Sequence, residues 1–498
     1  MFLLPVDHPQ DKHIALALSG GALVETCRVT TPRFFSLWIG LLAPWVADGA
    51  GRPLQLHPDN PHYFLWRGQP TVLITSGEHY GAVLNADFDY VKYLDTLAKD
   101  KLNLTRTWTG GTYCEPTGAF NISRNTLAPL SARFLCPFAR SDQPGYRGGG
   151  NKFDLDRWDD DYFKRFRDFV SQAGTRGVVV EVNLFCPFYE DSMWVLSPLH
   201  PNNNVNGVGQ GLARTNVHTL DRHGGTLAIQ ERLVRKFVEE LRDTDNVYYE
   251  ICNEPYFGGV TLAWQHHIAD VIVEAQRDHP AKKLISQNIA NGQARVASPH
   301  PAVSIFNFHY ATPPATVPMN YALNRVLGDN ETGFKGTNDA PYRIEAWEFL
   351  LAGGGLYNNL DYSFVAGHED GTFVYPAKQP GGGNPIFRRQ MRVLRDFLHG
   401  FDFVRMKPDT SFIKAGVPPG VKPWALVEPG RAYAIYLRST KGLSALDLDL
   451  PAGQYRAVWI SPLTGAVLDS APFSHAGGIR QLPAPAGLEE VALRIQAP

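Results

Sequence analysis

The chain has 498 residues, more than the ~250–300 at which a single hydrophobic core stops growing. Two or more folded units are therefore expected, although one α/β barrel could take most of the length. Lys and Arg total 47 against 49 Asp and Glu, which excludes the clustered basic charge that nucleic acids and anionic membranes require. Apolar residues form 44% of the chain, which excludes general disorder.

The first predicted element is a leader over residues 1–50. Arg33 precedes an apolar run at residues 34–47, and small residues follow to Ala50. The run is shorter than the ~20 residues that cross a bilayer. Its basic flank, apolar centre and small-residue exit are typical of a secretory signal peptide over about residues 33–49. The alternative is an N-terminal helix that packs on the next domain. Export predicts a secreted or periplasmic protein with no membrane contact after leader removal.

Residues 51–402 show near-continuous apolar runs that alternate with amphipathic stretches, a pattern typical of buried parallel strands and their covering helices. Eight strands are predicted: Thr71–His79, Leu102–Trp108, Gly177–Phe185, Val247–Cys252, Lys283–Asn288, Val303–Tyr310, Arg325–Glu331 and Gly355–Phe364. Six helices are predicted: Asp87–Leu97, Tyr162–Val170, Leu227–Leu241, Leu262–Gln276, Pro341–Ala352 and Pro385–Leu398. The pattern predicts an α/β fold, a (β/α)8 TIM barrel. A doubly wound sheet is the alternative, but no glycine-rich phosphate loop follows the first strand.

In the last segment, residues 403–498, apolar and polar residues alternate with a period of two. Leu446, Leu448 and Leu450 alternate with Asp447 and Asp449, as expected for strands with one buried face. Turn-forming Pro and Gly residues separate several such runs. The segment is therefore predicted to be a small C-terminal antiparallel β-sandwich, docked on the barrel because no flexible linker precedes it.

Cysteines and acidic clusters give no metal site. No CxxC pair or Cys/His ligand spacing occurs, so no metal and no cofactor are predicted. Cys114 and Cys136 lie in one long loop and are either a disulfide or buried free thiols. The acidic stretch Asp154–Asp161 could bind calcium, but the start of a helix is the favoured interpretation. Glu345 and Glu348 are interpreted as solvated helix charges.

The carboxyl ends of the predicted strands carry polar and aromatic residues, and catalytic residues of a barrel lie at those ends. The candidates in chain order are Glu78, His79, Arg106, Trp108, Asn183, Asn253, Glu254, His309, Tyr310, Glu331, Asn359 and Asp361, with Trp194 added as a sugar platform. Amides, carboxylates and rings suit a neutral, polyhydroxylated ligand. The expected partner is therefore an oligo- or polysaccharide or another glycoside, and the oligomeric state is left open.

Glu254 and Glu331 meet the requirement for glycoside hydrolysis, which needs one protonated and one ionised carboxyl group. They end the fourth and seventh strands, on opposite sides of the barrel mouth. Two close carboxyls cannot both ionise cheaply. Glu254 is accordingly expected to keep its proton near neutral pH.

The sequence resembles the clan A retaining glycoside hydrolases, the group that includes family 5 cellulases. The resemblance covers roughly residues 60–400 and rests on Ile-Cys-Asn253-Glu254-Pro255, Phe-His309-Tyr310 and Asn330-Glu331-Thr-Gly. A looser resemblance, to apiosidase-related proteins, also covers the C-terminal sandwich. In those proteins the corresponding domain is named after collagen binding, but the name implies no such activity.

The resemblance implies roles for individual residues. Glu254 would be the acid/base and Glu331 the nucleophile. Asn253 would hold the sugar 2-hydroxyl, Tyr310 would hydrogen-bond the nucleophile, and Arg106 would orient it. The chain departs from the family pattern at two places: after the eighth strand, where no Trp occurs, and after Glu331. These departures leave the identity of the sugar open. A non-catalytic carbohydrate-binding or scaffold protein and a transglycosidase are the alternatives.

Overall fold

The computed structural model describes residues 51–438 and 441–498. The predicted leader and its signal peptide lie outside the described residues, and export stays a prediction. Within the described ranges, no helix is both long enough and apolar enough to span a membrane.

Eight parallel strands form a barrel and confirm the predicted fold class. They are Leu73–Gly77, Leu104–Trp108, Val179–Asn183, Val247–Glu250, Ile285–Asn291, Val303–His309, Val326–Thr332 and Leu356–Leu360. Each pairs with the next in sequence from the second to the eighth, and the eighth pairs with the first. Asn103 joins the first and second strands. Its backbone N–H donates to the Ile74 carbonyl over 3.2 Å, and its side chain accepts from Ile74 and donates to Val72.

Helices cover the outside of the barrel: Tyr90–Lys99, Asp160–Thr175, Thr226–Glu240, Leu262–Ala275, Asp339–Leu351 and Pro385–Leu398, with short helices at Asp191–Trp194 and Thr316–Asn320. The last long helix begins at the predicted residue because the Asn384 side chain accepts from the backbone N–H groups of Ile386 and Phe387, and Pro385 needs no donor partner. The fully described connection between the fifth and sixth strands contains no helix.

Additional strands lie outside the barrel sheet. Three short ones precede the first barrel strand: Gln55–Leu56, Phe64–Trp66 and Gln69–Thr71. A hairpin of Phe138–Pro144 and Asn151–Trp158 belongs to the long second loop. The first half of the acidic stretch at Asp154 is therefore strand, and Asp159 caps the helix that follows by accepting from the Tyr162 N–H.

The C-terminal segment forms two antiparallel sheets. The larger contains Lys407–Pro408, Trp424–Glu428, Ala432–Arg438, Glu490–Gln496, Gly453–Ile460 and Val467–His475, in that spatial order. The smaller contains Ile413–Ala415, Ala445–Leu450 and Gly478–Pro483. Leu446, Leu448 and Leu450 are buried in a core shared with Ile435 and Leu493 of the larger sheet, which explains the period of two.

The larger sheet also contacts the barrel helix Asp339–Leu351. Trp347 of that helix stacks on Tyr436 with 5.2 Å between ring centroids. Arg343 donates to Glu490 over 3.0 Å, and Arg438 lies 2.8 Å from Glu348. The interpretation of Glu348 as a solvated charge is therefore wrong, because the sandwich covers it.

Glu345, on the same helix, is also buried rather than solvated. It accepts a hydrogen bond from Thr332 over 2.9 Å and forms an ion pair with Lys335. The four described cysteines are free and buried, and burial raises the pKa of both Cys114 and Cys136 to about 12. Of the two interpretations of Cys114 and Cys136, the structure supports the free thiols.

Candidate active site

A cavity of 390 Å³ opens at the carboxyl ends of the barrel strands. Its walls come from loops after most of the strands, because a barrel gathers those ends at one mouth. The lining residues are His79, Trp108, Glu115, Phe120, Tyr189, Asn253, Glu254, Phe257, Asn291, Tyr310, Glu331, Gly333, Phe334 and Lys335. Both predicted carboxylates are among them.

Glu254 and Glu331 face each other in this cavity. An oxygen of each and Nδ1 of His309 all lie within 4.8 Å of one another. His309 Nδ1 is 3.2 Å from Glu254 Oε1 and 3.6 Å from Glu331 Oε1. Glu254 has a φ of 36°, in the left-handed region that side chains with a Cβ rarely adopt. Such backbone strain is concentrated at functional sites.

Three donors hold the Glu331 carboxylate. The Tyr310 hydroxyl donates to Oε1 over 2.7 Å, as predicted from the resemblance to known hydrolases. The Tyr80 hydroxyl donates to Oε2 over 3.0 Å, and Arg106 Nη1 donates to the same oxygen over 3.1 Å. A carboxylate that accepts several hydrogen bonds, one of them from a cation, is stabilised in its ionised form and fixed in orientation.

Glu254 is surrounded differently. The Tyr189 hydroxyl donates to Oε2 over 2.7 Å, and the Tyr256 hydroxyl lies 3.3 Å from Oε1. Burial raises the pKa of Glu254, but the hydrogen bond and charge of His309, aided by Tyr189, outweigh burial and hold that pKa below its usual range. The expectation that Glu254 keeps its proton near neutral pH is therefore not met in this structure, because the sequence did not place His309 against it.

Arg106 lies beneath the cavity among buried carboxyl groups. It donates to Glu181 over 2.7 Å, to Glu331 as described, and also to Glu250. It further donates to Asn253 Oδ1 over 2.7 Å. One cation thus positions the nucleophile candidate and the neighbouring amide together.

The pKa values of the two carboxyl groups below Arg106 are shifted in opposite directions. Burial raises the pKa of Glu181 far above its usual range, and the neighbouring Glu250 charge adds to that rise. Burial also acts on Glu250, but Arg106 and a hydrogen bond from Glu181 outweigh it and lower the pKa of Glu250. Of the two, Glu250 is therefore the group whose ionised form the site favours, and both carboxyl groups pair with Arg106.

Several predicted residues reach the cavity and several do not. His79, Trp108 and Asn253 line it, and Arg106 and His309 contact its carboxylates. The remaining five predicted residues, none of which lines it, are Glu78, Asn183, Trp194, Asn359 and Asp361.

Those five are buried elsewhere in the barrel. Glu78 accepts from the backbone N–H groups of Gly81 and Ala82 and from the Thr126 hydroxyl. Asp361 pairs with Arg388 over 2.7 Å, and Asn359 donates to Ser76 beside it. Trp194 packs on Phe188 with 4.9 Å between centroids, and Asn183 is 1% exposed. Short polar contacts engage the carboxyl groups of Glu78 and Asp361 and the amide nitrogen of Asn359, so these groups serve the fold.

Apart from Tyr310, the aromatic residues that hold and cover the carboxylates are not among the residues predicted from the sequence. Tyr80 directly follows His79, so the end of the first strand carried a signal for it. Tyr189, Phe120 and Phe334 lie in loops, where no periodicity marks them. Glu115, also in a loop, has a pKa of about 7, raised by burial.

Glu254, His309 and Glu331 form the one group of three His, Cys, Asp or Glu side chains, among the described residues, that is spaced for a metal ion. Tyr and Arg donors already engage both oxygens of each carboxylate, as the contacts above describe. This donor set favours proton chemistry over metal ligation. The prediction of no metal stays a prediction.

No protein-family model matches this sequence, and no curated protein matches it. A glycoside hydrolase family 5 structure from Bacteroides vulgatus is 14% identical, with a TM-score of 0.60 over 91% of this chain and 94% of that chain. A second protein from that bacterium, provisionally described as a glycoside hydrolase, is 12% identical, with a TM-score of 0.65 over 91% of this chain and 83% of that chain. A third structure, named glycoside hydrolase, is 12% identical, with a TM-score of 0.59 over 90% of this chain and 97% of that chain. At these identities the likeness shows the fold, a barrel of the glycoside hydrolase family 5 type.

Proposed function

We propose that the protein is a retaining glycoside hydrolase, in which Glu254 is the acid/base and Glu331 the nucleophile. The observation that carries the proposal is the pair of carboxylates with oxygens within 4.8 Å in one cavity. Carboxyl groups ~5–5.5 Å apart are typical of retention, whereas inversion needs ~6.5–9.5 Å to admit a water molecule. The fold likeness supports a carbohydrate substrate.

The surroundings of the two carboxylates support this division of roles. Glu331 has Arg106 and two tyrosine hydroxyls as donors, which suits a group that must stay ionised to attack the anomeric carbon. Glu254 lies against His309 and has no Arg or Lys partner among the described residues, so its charge can change at lower cost.

The first step transfers the sugar to the enzyme. Glu331 attacks the anomeric carbon while Glu254 gives its proton to the leaving oxygen. A bound sugar removes water from Glu254, and desolvation favours the protonated form that this step requires. In the second step Glu254 takes a proton from water, which attacks the same carbon and releases Glu331. Two inversions at one carbon retain its configuration.

Azide rescue tests the two roles. Glu331→Ala should lose turnover on every glycoside, whereas Glu254→Ala should retain part of the first step for a 2,4-dinitrophenyl leaving group that needs no proton. Azide added to Glu254→Ala should give a glycosyl azide of retained configuration, because azide attacks the intermediate without base assistance. Glu274→Ala, on an exposed helix face, is the matched control and should behave as wild type.

An azide product of inverted configuration, or full activity of Glu331→Ala, would show that the roles are wrongly assigned. Product analysis with an added sugar acceptor separates hydrolysis from sugar transfer. Ligand binding without any turnover by the wild type would favour a carbohydrate-binding protein instead.

A further inference from the structure

Two exposed phenylalanines meet across the mouth of the cavity. Phe120 comes from the loop after the second strand and Phe334 from the loop after the seventh. Their ring centroids are 6.4 Å apart in an edge-to-face arrangement. Both rings line the cavity, and they are 40% and 44% exposed. Large apolar groups left this open to solvent at a site suggest contact with a ligand.

The pair belongs to a continuous chain of rings between the two carboxylates. Phe120 contacts Tyr189 with 5.4 Å between centroids, and Phe334 contacts Tyr310 with 6.2 Å. Tyr189 donates to Glu254 and Tyr310 donates to Glu331, each over 2.7 Å. We call Tyr189, Phe120, Phe334 and Tyr310 the aromatic arch, because together they span the cavity from one carboxylate to the other.

Three of the four residues in the arch have a strained backbone conformation. Phe120, Phe334 and Tyr310 have φ values of 51°, 58° and 53°. A non-glycine residue in this left-handed region is strained by about 1–3 kcal/mol. Packing in the core does not require the two phenylalanines, because both are largely exposed. The strain is therefore consistent with a placement selected for the site.

A sugar chain cannot pass between the two phenylalanines. Carbon atoms in contact lie ~3.5–4.0 Å apart, so a sugar between two ring surfaces needs a gap of about 7–8 Å. The edge-to-face pair at 6.4 Å leaves no such gap. The arch thus leaves no passage for a sugar chain between its two phenylalanines, and the cavity volume of 390 Å³ is near the lower limit of the ~300–1,000 Å³ found for ligand sites.

Two further exposed rings lie on the side of the acid/base, next to the Tyr189 end of the arch, where Phe257 contacts Tyr189 with 5.8 Å between centroids. Tyr256 and Phe257 follow Glu254 directly and are 38% and 43% exposed. The leaving group must lie beside the residue that protonates it. These two rings therefore offer a platform for the leaving group, and the arch covers the sugar that Glu331 attacks.

We infer that the arch makes this an exo-acting site, which binds the terminal, non-reducing sugar of a chain or of a small glycoside and releases one unit at a time. This inference rests on the proposed function. Glu115, which lines the cavity from the same loop as Phe120, supplies a carboxyl group for the terminal hydroxyls that an internal sugar lacks.

Product patterns test the inference. The probes are 4-nitrophenyl β-glycosides of glucose, mannose, galactose and xylose, and the β-1,4-linked hexasaccharides of glucose, mannose and xylose. The wild type should hydrolyse an aryl glycoside and shorten the matching hexasaccharide by one sugar at a time from the non-reducing end. Early products of two to four units would overturn the inference and leave the proposed function intact. Failure to cleave any probe would count against the proposed function itself.

Opening the arch gives a second readout. Phe120→Ala with Phe334→Ala should raise the ratio of internal fragments to monosaccharide by roughly tenfold or more, since the opened arch then admits further sugars. Leu130→Ala, in the same loop and 72% exposed, is the matched control and should keep the wild-type pattern. An unchanged ratio in the double variant would overturn the inference. If that variant does not fold, the wild-type product pattern decides.

Discussion

Replacing Arg106 by Met should destabilise the barrel strongly, because Arg106 is the cation that faces the buried carboxylate Glu250. Arg106 is 2% exposed and Glu250 is fully buried. Removing one partner of a buried pair costs about 3–5 kcal/mol. That is a large part of the ~5–15 kcal/mol that stabilises a typical domain.

The loss of stability caused by Arg106→Met should grow as the pH rises. In the wild type the lowered pKa of Glu250 contributes stability that is present above the unfolded value near ~4.3 and lost as pH falls through the folded value. Without Arg106, only the hydrogen bond from Glu181 and the charge of His309 oppose burial, and we expect burial to raise the pKa of Glu250 above the unfolded value. The folded variant then holds a proton that the unfolded chain releases, so its stability falls by up to ~1.4 kcal/mol per pH unit, or about 2.7 kcal/mol from pH 5.5 to 7.5.

Thermal unfolding at pH 5.5 and 7.5 measures these effects. Glu250→Gln added to Arg106→Met should recover much of the stability, because it removes the unpaired charge. Glu181→Gln alone is the matched control: it changes the other buried carboxyl partner of Arg106, whose pKa burial raises, so a smaller loss of stability than that of Arg106→Met is expected. Two results would refute this account. One is an Arg106→Met variant that unfolds at the same temperature as the wild type at both pH values, and the other is a further loss of stability when Glu250→Gln is added to that variant.

Two further outcomes are expected. A chain that ends at Gly400 should unfold at lower temperature than the full chain, since Arg343 and Glu348 lose the sandwich partners that neutralise them; an unchanged melting temperature would contradict this. His309→Asn should raise the pKa of Glu254 by removing the group that lowers it, and so move the alkaline limb of kcat/KM for an aryl glycoside to higher pH. A limb that moves to lower pH would contradict that account.

The barrel could be predicted from the sequence because its signals are local. Strands buried on both faces need continuous apolar runs, as in Val179–Asn183, and helices need apolar residues at a spacing near 3.6. The last long helix was predicted to its final residue because Asn384 and Pro385 fix its start and the apolar spacing ends at Leu398. The carboxylates Glu254 and Glu331 followed from their positions at strand ends.

The tertiary structure decided which polar residues serve the site and which serve the fold. Glu78 and His79 are adjacent in sequence, yet Glu78 satisfies loop backbone groups while His79 lines the cavity. Glu348 is buried because a strand of the sandwich, distant in sequence, brings Arg438 to it.

The charge states of the buried carboxyl groups could not be predicted from the sequence either. Whether a buried carboxyl group is ionised depends on the cations and donors within a few ångströms, and these come from other strands. Arg106 and Glu331 are 225 positions apart in the chain, and His309 and Glu254 are 55 apart. Sequence spacing specified the strands that carry these groups, but only the closed barrel set the distances at which their charges act on one another.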